Sequence, residues 1–180
     1  MNRFLRLAWA LMVLILVGSL LWTIDDLPNR IPTHFNGAGA PNGWSSKSTF
    51  FWTWLLTIAV ANIWVVVFPW LSRWLTSEKN RKYLSMPNKD HWLSDPELRA
   101  YAMRVLETTF LVTIILSDVI LMMAFRSIYG YSTTHVPHPI HWSLFVFLGA
   151  AVVFALVYPL MALRKTAGPA SSQTGGASGG

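Results

Sequence analysis

Three histidines recur at every third position in His135-Val136-Pro137-His138-Pro139-Ile140-His141. Imidazole binds zinc or copper through a ring nitrogen without any thiolate. The two prolines favour an extended backbone, and a polyproline II helix repeats every three residues, which would project all three rings from one side. His34, and the thioethers of Met122 and Met123 as soft ligands for copper(I), could complete such a site. Against this stands a plain polar loop, since no carboxylate lies nearby to orient the rings from behind.

A second group of reactive side chains lies in apolar surroundings. Asp118 falls within a long hydrophobic stretch, where an ionisable residue is costly and faces a partner or water. Glu107, eleven positions earlier, lies about three helical turns away and so on the same helix face. Asn62, Thr113 and Ser117 are candidate partners. Scattered polar residues of this kind bind helices together or line a path for ions or protons, and packing is the expectation where they do not form a continuous file.

The third group is in the segment Leu27-Pro28-Asn29-Arg30-Ile31-Pro32-Thr33-His34-Phe35-Asn36-Gly37-Ala38-Gly39-Ala40-Pro41-Asn42-Gly43-Trp44. Its prolines restrict the extended parts, Gly37 and Gly39 permit close turns, and Pro41-Asn42-Gly43 is a turn signal. Such a loop can hold His34 and Asn36 in fixed positions, where they either satisfy backbone groups or meet a ligand.

The elements that position these groups are set by hydropathy. Four apolar stretches, near residues 5–24, 50–71, 106–125 and 142–163, are each about long enough to cross a bilayer. With 53% hydrophobic and 12% charged residues in 180, the chain is expected to be an all-α membrane protein of four transmembrane helices, occupying 1–166. Ser94-Asp95-Pro96-Glu97 reads as a capping box with Ser94 as the cap, so the third helix should span about 95–125. At about 45 Å it exceeds the hydrocarbon thickness, and its first turns should project beyond it. The Ser/Gly-rich tail 167–180 is expected to be disordered. Arg3 and Arg6 before an apolar run resemble a signal sequence, but without a small-residue cleavage site the run reads as an uncleaved helix.

Charge sets the expected orientation. Arg3, Arg6, Arg73, Lys79, Arg81, Lys82, Lys89, Arg99, Arg104, Arg164 and Lys165 fall on one side of the four spans, and only Arg30, Lys47 and Arg126 on the other. The positive-inside rule makes both termini cytoplasmic, with outer loops at about Asp25 to Thr49 and Arg126 to His141. The formal charge of +6 is thus a topology signal and no nucleic-acid partner is expected. Most of the ten tryptophans fall at the ends of the spans, Trp9 and Trp92 at the inner end and Trp54 at the outer, as interfacial anchors. With no cysteine there is no disulfide framework, thiolate site or thiol nucleophile. Nothing marks a catalytic residue: there is no His-Glu-x-x-His helix, Gly-x-Ser-x-Gly elbow or phosphate loop.

The first outer loop resembles a domain of unassigned function at the start of SdpI-type immunity proteins. The family signature is close to Leu-Pro-Asp, Pro-x-His-Phe/Trp-Asn and Gly-x-Pro-Asp-Gly. Here His34, Asn36, Gly39, Pro41 and Gly43 match together, while Asn29 and Asn42 stand where the family often carries Asp. The resemblance covers the first helix, the loop and the second helix. It implies a multi-helix protein of the bacterial cytoplasmic membrane that protects against a secreted toxin or relays a signal. The expectation is an accessory, sensor or immunity-type protein acting through a membrane-protein partner or a second copy. Loop residues His34, Phe35, Asn36, Gly39, Pro41, Gly43 and Trp44 would structure or make the contact, with lipid around the helices. The alternative is an outer copper or zinc site on His34, His135, His138 and His141, serving metal delivery or a membrane enzyme subunit.

Overall fold

A computed structural model describes residues 3–38, 40–84, 86, 88–136 and 143–166. The chain runs through helix α1 (Arg3–Thr23), strands β1 (Arg30–Phe35) and β2 (Pro41–Ser46), and helix α2 (Lys47–Leu75). A 3-10 turn at Arg81–Tyr83, the short helix α3 (Lys89–Ser94) and the long helices α4 (Pro96–Thr134) and α5 (Ser143–Thr166) follow. The described residues are mostly helical, and α1, α2, α4 and the Val146–Leu163 part of α5 are long and apolar enough to cross a membrane.

Both ends of the third long helix differ from expectation. The third long helix begins on Asp95, not Ser94: the Asp95 carboxylate accepts from the backbone N–H of Glu97 at 2.7 Å and Leu98 at 3.2 Å. Ser94 instead ends α3, with its hydroxyl donating to His91 O. The cause is Pro96, which forces the residue before it into the extended region that a cap requires, and Asp95 has φ −129° and ψ 140°.

At its other end α4 continues to Thr134, nine residues past the expected end, so most of the outer loop placed at 126–141 is helix. Hydropathy falls there because Ser127, Ser132, Thr133 and Thr134 enter. Each of these hydroxyls donates to the carbonyl four residues earlier, which hides its polarity within the helix. The helix stops at His135, which is left-handed at φ 56° and donates its N–H to Tyr131 O at 2.8 Å. The tail 167–180 lies outside the described residues.

The loop after α1 is an antiparallel two-stranded sheet, which an all-helical reading does not contain. Arg30 pairs with Ser46, Ile31 with Ser45, Pro32 with Trp44, His34 with Gly43 and Phe35 with Pro41, with irregularities on both sides of His34.

Helices α1, α2 and α4 share two core clusters. Leu20 of α1, Phe50 of α2 and Phe125 of α4 share one core cluster with Leu27 and Ile31 of the loop. Farther along, Val65 of α2 meets Leu111 and Ile114 of α4, with Leu5 and Trp9 of α1 against them. These pairings make α1 and α4 parallel and α2 antiparallel to both. Helix α5 packs on α4, and its Leu163 joins Trp92 of α3 and Ala102 and Val105 of α4. Thus α1 starts and α5 ends at the end opposite the hairpin. Three tryptophans depart from interfacial anchoring: Trp92 is only 1% exposed, Trp54 stacks on Phe50 and lies tilted against Phe125, and Trp9 turns into the bundle.

Candidate functional site

The hairpin is built from side chains that substitute for backbone partners. Asn36 ends β1, and its Oδ1 accepts from the N–H groups of Ala38 at 3.0 Å and Ala40 at 2.9 Å, while its own N–H donates to Ala40 O at 2.8 Å. This is the local bonding that makes asparagine a turn residue. His34 Nδ1 donates to Asn42 Oδ1 across the strands, so one ring nitrogen is engaged within the hairpin. Gly43 faces His34 so closely that an added Cβ would lie 3.0 Å from His34 Cβ, an approach that favours glycine.

The hairpin is docked rather than suspended. Ile31 and Pro32 are buried, and Phe35 meets Tyr131 of α4 edge-on at 5.5 Å. Tyr131 in turn meets His135 at 6.4 Å. At the base, Lys47 Nζ donates to Asp25 O at 3.1 Å and Tyr129 Oη donates to Asp26 at 3.3 Å. The extra turns of α4 supply this platform. Trp44 remains 44% exposed, with the Arg30 guanidinium over its ring at 5.7 Å.

The apolar spans carry a second polar set. Asn62 Nδ2 donates to Asp118 Oδ1 at 3.0 Å and to Ile58 O at 3.0 Å, and Asn62 Oδ1 accepts from Trp9 Nε1 at 2.6 Å. One amide therefore ties α1, α2 and α4 together. Asp118 is fully buried, and its Oδ2 has no partner among the described residues. Thr113 and Ser117, named as possible partners, instead donate to carbonyls of their own helix. Glu107 accepts from Arg6 of α1 at 2.8 Å, with both side chains partly exposed. The polar groups thus form two separate ties, at Asn62 and at Arg6, each crossing between helices.

Of the proposed metal ligands, His34 and His135 are described, while His138 and His141 lie outside the described residues, as does Gly39. No group of three or more potential ligands comes together among the described residues. Met122 borders a groove between α1 and α4 and not the hairpin. Sequence reasoning missed Trp9, Tyr129 and Tyr131. Asn62, a lone asparagine in an apolar span, signals that its carbonyl needs a donor from another helix but not that Trp9 is that donor.

The fold and site define a small polytopic membrane-type protein with a β-hairpin seated on one end of its helices. Residues 11–59 match a family model described as a domain of unknown function, DUF1648. The match runs from within α1, across the whole hairpin, into the first half of α2. No curated protein and no solved structure matches the chain.

Proposed function

We propose that this chain is an SdpI-like protein of the bacterial cytoplasmic membrane that acts as an accessory subunit, sensor or immunity factor through its hairpin. The observation that carries the reading is a hairpin, braced by Asn36 and seated on α4, that leaves Trp44 exposed beside Arg30. Tryptophan and arginine are the residue types that anchor protein interfaces, and a braced loop loses little conformational freedom on binding. The basic residues concentrated at the opposite end support an orientation with the hairpin outside and both termini cytoplasmic. The partner is a membrane protein or a second copy of this chain.

Native mass spectrometry after extraction from the source membrane in mild detergent, with metal analysis of the same sample, tests this. A stoichiometric protein partner, lost in Trp44→Ala and Asn36→Ala but retained when His135, His138 and His141 are replaced, is the expected result. A bare protomer carrying copper or zinc that disappears on replacing those histidines would overturn it.

A further inference from the structure

An open groove of about 650 Å³ runs between α1 and α4 toward the hairpin end, a volume typical of small-molecule sites. Ile15, Gly18 and Met122 form part of its wall, and Trp22, Arg126 and Tyr129 stand toward the hairpin. A Cβ placed on Gly18 would meet nothing within 4 Å, so the space beside it is filled by neither helix.

Arg126 gives the groove its chemistry. It is exposed and forms no hydrogen bond or ion pair with any described residue. The other two basic residues at this end are engaged, Arg30 over Trp44 and Lys47 on Asp25 O. Arg126 directly follows the apolar stretch that ends at Phe125, which puts its guanidinium where hydrocarbon gives way to headgroups. A cation with no partner among the described residues, at the mouth of an apolar groove, is complementary to a molecule with an anionic head and an apolar tail.

We propose that the groove holds an acyl chain of an anionic phospholipid whose phosphate is bound by Arg126, with Trp22 and Tyr129 at headgroup level. Guanidinium binds phosphate through paired N–H donors, and aromatic rings favour that depth. A helix from a second copy would fill the apolar wall but leave the cation unmatched.

The test titrates the full chain in mild detergent with phosphatidylglycerol and counts bound lipid by native mass spectrometry. One lipid is expected to remain bound, with affinity about tenfold weaker in Arg126→Gln, the factor carried by one charge-assisted contact. Gly18→Leu, which fills the groove from its apolar end, is expected to weaken binding as well. Diacylglycerol, with the same tails and no phosphate, should bind more weakly and be indifferent to Arg126→Gln. Unchanged phosphatidylglycerol binding in Arg126→Gln, or diacylglycerol binding as tight as phosphatidylglycerol, would overturn the proposal. Circular dichroism checks folding, and if Gly18→Leu does not fold, Arg126→Gln with the two lipids decides alone.

Discussion

Replacing Asn62 with leucine removes both interhelical hydrogen bonds of one side chain at nearly constant volume. Interhelical bonds within membranes average about 0.6 kcal/mol, so the loss of those to Trp9 and Asp118 accounts for about 1.2 kcal/mol. The same change leaves both oxygens of the fully buried Asp118 without a described partner, and stranding a buried polar group adds about 1–3 kcal/mol. Asn62→Leu should therefore cost about 2–4 kcal/mol. Asp118→Leu should cost less, about 1 kcal/mol or under, because Asn62 keeps its bonds to Ile58 O and Trp9. In the double variant the stranded carboxylate is gone and only Trp9 Nε1 has lost its partner, so the cost should fall to about 1 kcal/mol, below that of Asn62→Leu alone. The assay is unfolding in mixed micelles by titration with a denaturing detergent, read by tryptophan fluorescence and by helix content. A double variant whose loss equals or exceeds the sum of the two single losses would refute the reasoning.

Two further outcomes follow from local geometry. Asp95→Ala should destabilise the start of α4 by about 1 kcal/mol and speed hydrogen exchange at the Glu97 and Leu98 amides, whereas Ser94→Ala should leave both amides unchanged. Asn36→Ala should speed exchange at Ala38 and Ala40, and Gly43→Ala should loosen the strand pairing by crowding His34; Gly37→Ala, which meets nothing within 4 Å, serves as the control.

The membrane-length helices were legible because hydropathy over about twenty residues reports directly on the solvent that a span requires. The strands were not. In β2, Gly43 and Ser45 are partly buried while Trp44 is exposed, which inverts the apolar-in pattern by which strands are recognised. The last turns of α4 were hidden for a related reason. Serine and threonine read as loop residues until their hydroxyls are seen returning to the helix's own carbonyls. The start of α4 reads one residue early, on Ser94, when the capping-box pattern is weighed above Pro96, which dictates the conformation of Asp95 before it. Of the intramembrane tie, Asn62 and Asp118 could be singled out as polar residues in apolar runs. Trp9 could not, because an indole near the end of a span reads equally well as an anchor to the interface.

Helix α4 is the common neighbour of the other helices and the floor of the hairpin, and this bears on how the protein is made. During synthesis α1, the hairpin and α2 emerge first, when Trp9 and Asn62 can already meet but Phe35 lacks Tyr131 and Phe50 lacks Phe125. Until α4 has been inserted, Asn62 keeps its bonds to Trp9 and Ile58 O but lacks the one to Asp118, and the hairpin has no floor. A chain that stops before α4 therefore lacks the Tyr131 and Tyr129 contacts that seat the hairpin and its base.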